Sequence, residues 1–188
     1  MINFNVIYRT KEDLLTAKKK TASYTCENVL IQAFSGIADA SVISQLQADL
    51  RDVFPGTPVI GATTGGEIIN SKVQDETIVL CFSFFTCTKI RSHIVPQNDN
   101  PDAAAFSSSR PKVIIAFGTG LKSGKYTSDV LFLAALNKKI KNVVLAGGQA
   151  GTEIYGSRTY VFNESVIAEN GYGSVIAMLL HRLTVCRI

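Results

Sequence analysis

The sequence is poor in the residues that build metal centres and disulfide frameworks. It has four cysteines and two histidines in 188 residues, and no two cysteines form a Cys-x-x-Cys pair. A zinc site takes three or four Cys, His or acidic ligands at close spacing. We therefore expect no metal and no cofactor, and we expect His93 and His181 to be surface or strand-edge residues rather than catalytic bases.

Targeting and membrane signals are missing as well. Met1 to Arg9 lacks the long apolar stretch and the small-residue cleavage site of a secretory signal. No apolar run reaches the roughly 20 residues that cross a bilayer as a helix. We expect the protein in the cytoplasm and away from membranes.

Catalytic motifs are also missing. The sequence has no Gly-x-Ser-x-Gly elbow, no His-Glu-x-x-His and no Gly-x-Gly-x-x-Gly after a strand. Segment 118–126 resembles a phosphate loop, but Thr119 stands at the first glycine position and Tyr126 replaces the hydroxyl residue that binds Mg²⁺. We expect no nucleotide hydrolysis, and we predict that this chain is not an enzyme.

The charge pattern gives no sign of a nucleic-acid partner. The formal charge is +4, with 46% hydrophobic and 18% charged residues, a composition typical of a packed globular protein. Most of the excess lysine lies in two runs, Lys18 to Lys20 and Lys138 to Lys141. Both runs fall where we predict helix C-termini, and the helix dipole favours cations there.

An internal repeat organises the chain. Val29–Gly36 reads Val-Leu-Ile-Gln-Ala-Phe-Ser-Gly and returns 84 residues later as Val113–Gly120. A second landmark, Gly61–Ile68, returns 86 residues later as Gly147–Ile154. The Gly-x-x-x-Gly spacing and the final Glu-Ile are the same in both copies.

Each copy also contains helical patterns between strand-like segments. Apolar residues from Val42 to Val53 fall on one helical face after a capping Asp39, and Phe54-Pro-Gly ends the helix. The pattern returns from Val130 to Ile140 after Thr127 or Ser128.

The strand-like segments complete the unit. Val113–Ala116 and Val143–Ala146 are continuously apolar, which predicts strands buried on both faces. Each copy therefore reads β-α-β-α-β-β. We predict an α/β fold, with mixed α+β as a variant, in which internally duplicated units form mixed sheets flanked by helices.

The repeat also gives the predicted domain organisation. We predict one domain, 1–188, made of two repeats at approximately 1–87 and 88–188. Segment 181–188 has a strand pattern without a polar tail, and it corresponds to the strand Thr88–Val95 that opens the second repeat. We therefore expect this chain to be the N-terminal part of a longer protein.

The candidate binding residues lie where predicted strands end. In open α/β sheets a ligand binds at the carboxyl ends of the strands, where backbone N–H groups are free. Small and hydroxyl-bearing residues stand at four such points. We predict that the ligand contacts Ser35, Gly36, Thr63, Thr64, Gly65, Gly66, Glu67, Thr119, Gly120, Gly148, Gln149 and Gly151. The glycines could equally serve only tight turns or bulges.

Two glutamates, Glu67 and Glu153, recur at the same place in the repeat. Such a carboxylate could bind the amino group of a ligand or act as a general base. It could also be a solvated strand-edge charge, or fix the turn by accepting backbone N–H bonds. The sequence leaves these roles open.

The second landmark resembles a known family. Pro58–Ile68 is similar to the pattern Gly-Cys-Ser-Thr-Ala-Gly-Glu-Ile of FIST N-terminal domains, and Leu145–Gly151 followed by Thr159–Phe162 resembles the family's Gly-Gly-Leu-Ala-Gly-Asp before a strand. The resemblance implies a bacterial sensory domain that binds a small ligand such as an amino acid. It further implies a FIST C-terminal domain and an output domain, for example a diguanylate cyclase, in the same chain. A homodimer fits this organisation.

The sequence departs from the family pattern at five positions. In the first copy of the second landmark Ala62 replaces Cys, Thr63 replaces Ser and Gly65 replaces Ala; in its second copy Gln149 replaces Leu and Thr152 replaces the acidic residue. The loss of that acid weakens any ligand contact assigned to it and moves the expected polar contact to Gln149.

Three functions from different classes follow from these observations. The leading hypothesis is a sensor whose ligand binds among the strand-end residues. The alternative is a small-metabolite hydrolase or transferase with Glu67 or Glu153 as base. The third is a scaffold whose glycines only shape the fold and whose strand edges bind another protein.

Overall fold

The computed structural model describes residues 2–22, 24, 28–86, 88–95, 111–119, 121–122, 125–126, 142–153, 158–169 and 174–181. The helices and strands within these residues are β1 Ile2–Tyr8, α1 Lys11–Thr21, β2 Asn28–Ser35, α2 Ala40–Val53, β3 Val59–Thr63, β4 Glu67–Ile69, β5 Lys72–Gln74, β6 Ile78–Phe85, β7 Thr88–Val95, β8 Val113–Gly118, β9 Leu121–Lys122, β10 Lys125–Tyr126, β11 Val144–Gln149, β12 Tyr160–Asn163, β13 Ile167–Glu169 and β14 Ser174–His181. Neither helix is long and apolar enough to cross a membrane.

The strands form two large sheets and two small hairpins. The larger sheet has the order β1-β6-β2-β3-β12-β13, and the second has the order β11-β8-β14-β7. The pairs β2–β3 and β8–β11 are parallel, and all other neighbours are antiparallel. The hairpins are β4–β5 and β9–β10. This arrangement confirms the predicted α/β class with mixed sheets and helices packed on them.

The same strand order occurs twice. The order β1-β6-β2-β3 in the first sheet matches β7-β14-β8-β11 in the second, with the same parallel and antiparallel pairs. We call the two copies of the second landmark, Gly61–Ile68 and Gly147–Ile154, the glycine landmarks. The hairpins that follow their glycines pair differently in the two repeats. Among the described strands β4–β5 pairs only with itself, whereas β12–β13 crosses over and extends the first sheet beside β3. The repeats therefore form two sheets rather than one continuous sheet.

Strand pairing corrects our alignment of the first landmark by one residue. Ser35 lies opposite Thr63 of β3, and Gly118 lies opposite Gln149 of β11. Because Thr63 and Gln149 correspond at the 86-residue offset, Ser35 corresponds to Gly118, at an offset of 83 rather than 84. The terminal glycines of the two segments favour the offset of 84, but hydrogen-bond register decides which residues are equivalent.

Both helices cover one face of the six-stranded sheet. Helix α2 begins after Asp39, whose Oδ1 accepts a hydrogen bond from Ser41 N at 2.7 Å, and it ends before Phe54, as the sequence predicted. Its apolar face packs on β2, β6 and β12 together with that of α1. The fully buried side chains of this cluster include Leu14, Ile31, Ala33, Ile43, Leu46, Leu80, Phe82 and Phe162.

The other face of this sheet packs against the four-stranded sheet. The second cluster takes Leu30, Ile60 and Val161 from the first sheet and Ile90 and Phe117 from the second. Such burial on both sides explains why all five residues of β3 are buried. The described part of the molecule is thus layered as helices, sheet and sheet.

One corresponding pair makes direct contact across the two sheets. Phe34 and Phe117 are equivalent at the 83-residue offset, and their rings meet edge to face with centroids 5.6 Å apart. Contact between equivalent residues is what an approximate two-fold relation between the repeats produces.

The prediction of burial on both faces is wrong for one strand. Segment 143–146 was expected to be buried like Val113–Ala116, but β11 is largely exposed and Val144 is 63% exposed. The physical reason is that β11 lies at one edge of its sheet among the described strands, so only β8 adjoins it there. The predicted helix at 130–140, its caps Thr127 and Ser128, and segment 182–188 lie outside the described residues.

Candidate functional site

The two glycine landmarks, far apart in sequence, meet at the carboxyl ends of β3 and β11. Gly151 N donates a hydrogen bond to Thr63 O at 2.8 Å, and a Cβ on Gly151 would lie 3.2 Å from Gly65 N. Gly65 and Gly151 correspond in the repeat, so the two copies again touch at equivalent points. We call this region the glycine junction and define it as residues 63–66 and 148–152.

The strands deliver the chain to the junction in the same way in both copies. The first residue after each strand still donates to the neighbouring parallel strand, Thr64 N to Ser35 O at 2.9 Å and Ala150 N to Gly118 O at 2.7 Å. The chain then leaves the sheet at the glycines, where a backbone without side chains permits a close approach. The junction is therefore built from four strand ends, two from each repeat.

Glu67 is the most buried carboxylate of the site, with 2% of its surface exposed. The hydroxyl of Thr64 donates to its Oε1, and Thr77 donates to its Oε2 through both N, at 3.2 Å, and Oγ1, at 2.8 Å. A Cβ on Gly36 would lie 2.6 Å from that Oε2. Gly36 thus leaves room for a carboxylate that ties the end of β2 to the start of β6.

The corresponding Glu153 is exposed instead. The second repeat lacks the groups that hold its counterpart inside. Ala150 replaces the hydroxyl donor Thr64, and by the corrected register Thr119 places a side chain where Gly36 leaves space. The recurring glutamates therefore do not have recurring environments.

Three other predicted binding side chains are fully buried. Ser35 Oγ donates to Ile37 O at 2.8 Å, and Thr63 Oγ1 accepts a hydrogen bond from Tyr160 N at 3.0 Å. Thr119 is also fully buried at the end of β8. The Ser35 and Thr63 hydroxyls fix a turn and a strand end, and the role of all three residues towards a ligand stays a prediction.

The remaining predicted residues are closer to the surface. Gly36, Gly66 and Gly151 are half-buried, whereas Gly65, Gly148 and Gln149 are exposed; Gly120 lies outside the described residues. A Cβ placed on Gly148 would meet no atom within 4 Å. The face of the junction that a ligand can reach therefore consists of bare backbone at Gly65 and Gly148 together with the Gln149 amide.

Sequence reasoning missed Thr77, which donates two of the three hydrogen bonds to Glu67. Thr77 is an isolated threonine before an apolar strand, and it has no partner in the repeat. The one available signal was its position immediately before β6, where the chain re-enters the sheet at the edge that carries the glycine junction.

The described residues offer little for catalysis. Both oxygens of Glu67 accept hydrogen bonds and 2% of its surface is exposed, so the carboxylate is poorly placed to act as a base on a substrate from solvent. Burial raises the pKa of the Cys81 thiol, which keeps it protonated, whereas a nucleophilic cysteine needs a lowered pKa. No three His, Cys, Asp or Glu side chains of the described ranges cluster to hold a metal ion.

The sequence matches a known protein family. The model of the FIST N domain matches residues 29–185, a span that contains both copies of both landmarks. A comparison with curated protein sequences gave no match. The match covers most of the chain, and the chain belongs to the FIST N-domain family of sensory signal-transduction domains.

Proposed function

We propose that this chain is the ligand-sensing part of a bacterial signal-transduction protein and that its ligand, a free amino acid, binds at the glycine junction. One observation supports this proposal above the others. Two corresponding glycine turns, one from each repeat, meet at strand carboxyl ends, and Gly65, Gly148 and Gln149 are exposed there.

The chemistry of the junction fits a small zwitterion. Backbone N–H groups beside Gly65 and Gly148 can bind a carboxylate, and backbone carbonyls can bind an ammonium group. The Gln149 amide supplies both a donor and an acceptor. Because no side chain covers the backbone at the glycines, a compact ligand can approach it closely.

The junction is also placed to transmit binding. It contains residues of both repeats, and Glu67 connects its first turn to Thr77 and so to β6. A ligand that binds one arrangement of the two sheets more tightly than another shifts the population towards it. The receiver of this shift is a FIST C-terminal domain with an output domain such as a diguanylate cyclase in the same cytoplasmic polypeptide. No nucleic acid, metal or cofactor takes part.

The proposal is tested by titrating the chain, residues 1–188, with each proteinogenic amino acid in a thermal-shift assay. A ligand at about 100 times its Kd should stabilise the protein by about 2.7 kcal/mol. The stabilisation should be lost in Gly148→Val, which covers the bare backbone, and weakened in Gln149→Ala, which removes the amide. Both positions are exposed, so both variants should keep the core intact.

Lys72→Ala, on the exposed β5 strand, is the matched control and should bind as the unchanged chain does. Stabilisation by none of the amino acids, or equal stabilisation of the unchanged chain and both junction variants, would contradict the proposal.

A further inference from the structure

The three most exposed large apolar side chains in the described part of the chain lie on two elements. Ile68 is 73% exposed and Val73 is 69% exposed, and they are cross-strand partners in the β4–β5 hairpin. Val144 is 63% exposed, on β11. Single exposed apolar residues are common, but a paired patch on a hairpin and a bare apolar strand together indicate a contact surface.

The exposure of β11 contrasts with its counterpart in the first repeat. Strand β3 has β12 paired antiparallel along its outer edge, and all its residues are buried. Strand β11 pairs with β8 on one side, and no described strand pairs with its other side. Its sequence from Val144 to Gln149 contains no charge and no proline, the features that normally protect an edge strand from pairing with another chain.

The first repeat is too short to cover β11 as the second repeat covers β3. From Gly151 to the start of β14 at Ser174 is 23 positions, and this length carries the crossing hairpin β12–β13. From Gly65 to the start of β6 at Ile78 is only 13 positions. The shorter connection keeps β4–β5 beside its own repeat, where the Glu67 carboxylate anchors it.

We propose that the β4–β5 hairpin of one copy covers β11 of a second copy, and the reverse, in a two-fold dimer. Ile68 and Val73 of each copy then pack against Val144 and Ala146 of the other. The hairpin that follows the first glycine landmark thereby takes, between two chains, the place that β12–β13 takes within one chain. This inference does not depend on a ligand at the glycine junction.

Two-fold symmetry makes this contact self-limiting. Each copy supplies one hairpin and one bare strand, so both are used once in a closed dimer and no open end remains for a fibre. Burial of the three exposed side chains supplies the hydrophobic driving force. The proposal therefore predicts a dimer and not a higher polymer.

The test measures the mass of the 1–188 chain in solution by light scattering after size-exclusion chromatography. We expect a dimer for the unchanged chain and a monomer for Ile68→Lys and for Val144→Glu, since each places a charge in an apolar contact. Both positions are exposed, so the monomers should keep the circular dichroism of the unchanged protein. Val166→Lys, at an exposed valine outside the contact, should remain a dimer.

The double variant Ile68→Lys/Val144→Glu distinguishes this interface from any other. In the proposed dimer the introduced opposite charges face each other across both contacts, and the dimer should return. A monomeric unchanged chain, dimeric single variants, or a double variant that stays monomeric would each overturn the proposal.

Discussion

At the scale of single residues, the Glu67 carboxylate is surrounded by groups that need it. It accepts hydrogen bonds from Thr64 and Thr77 in a site closed to water, and it occupies the space that a side chain at position 36 would need. A buried donor that loses its acceptor costs about 1–3 kcal/mol. The carboxylate is therefore more important for the stability of the turn than for contact with solvent.

This arrangement predicts different outcomes for two substitutions of the same residue. Glu67→Ala leaves Thr77 N without its acceptor and should lower the free energy of unfolding by about 2–3 kcal/mol. Glu67→Gln should lower it by less than half as much, because the amide oxygen can accept from Thr77 while the amide NH₂ donates to Thr64 Oγ1. Urea unfolding of both variants measures the difference. Equal losses would show that charge, and not hydrogen bonding, holds the turn.

Two neighbouring glycines of β11 make a second matched pair. Gly147 has φ +147°, and a Cβ there would lie 1.8 Å from Ala116 O, whereas a Cβ on Gly148 meets open space. Gly147→Ala should therefore destabilise the protein by roughly 3 kcal/mol or more, through strain and a lost strand pair. Gly148→Ala should stay within about 0.5 kcal/mol of the unchanged chain. Thermal unfolding checks both, and an equal effect of the two would contradict the β11 geometry.

These glycines also mark what a sequence can say about a site. The repeat identified the glycine landmarks, and the structure brings them together. The sequence could not distinguish Gly147, which the strand geometry requires, from Gly148, which is open to a ligand. The difference lies in backbone torsion and in contacts with residues distant in sequence. For the same reason the sequence did not predict that Glu67 is buried whereas the corresponding Glu153 is exposed.

At the scale of elements, β1 and helix α2 are joined by a buried hydrogen bond. Tyr8 Oη donates to Asp49 Oδ2 at 2.8 Å, and Gln45 Nε2 donates to Asp49 Oδ1 at 2.9 Å. Burial, followed by the hydrogen bond to Asp49, raises the pKa of Tyr8 well above its ordinary value of 10.0. The folded protein thus holds the phenol in its neutral form.

The direction of this pKa shift predicts that the protein loses stability at alkaline pH. Because the folded pKa of Tyr8 lies above the unfolded value of 10.0, its contribution to stability is complete below pH 10.0 and is lost as the pH rises further. Tyr8→Phe should cost about 1 kcal/mol at neutral pH and should flatten the fall in stability above pH 10.0. Urea unfolding across this range tests the prediction, and an unchanged alkaline slope in the variant would refute it.

Local sequence patterns predicted the helices and strands better than they predicted which strands pair with each other. The apolar spacing of α2, its Asp39 cap and its end before Phe54 were all predicted correctly, since each depends on residues within a few positions. The crossing of β12 to β3 was not predicted, because Val161 and Ala62 are distant in sequence and neither carries a local sign of the pairing. The bare edge of β11 was missed for the same reason.

At the scale of the whole molecule, the repeats are joined by more than a shared sheet. Phe34 and Phe117 meet between the sheets, and Glu164 in the β12–β13 turn accepts hydrogen bonds from Val59 N of the first repeat and Ser92 Oγ of the second. The glycine junction lies between the same two repeats. If a ligand binds at the junction as proposed, a change in how the sheets pack would alter its affinity, and the bound ligand would bias the packing in return.

The central claim is that a small ligand contacts both glycine landmarks at once. Hydrogen–deuterium exchange of the 1–188 chain, with and without a mixture of the proteinogenic amino acids, tests it most directly. We predict slower exchange in segments 63–66 and 148–152 together, because one ligand would bind the backbone of both repeats. Unchanged exchange in these segments, or protection confined to one of them, would contradict the claim.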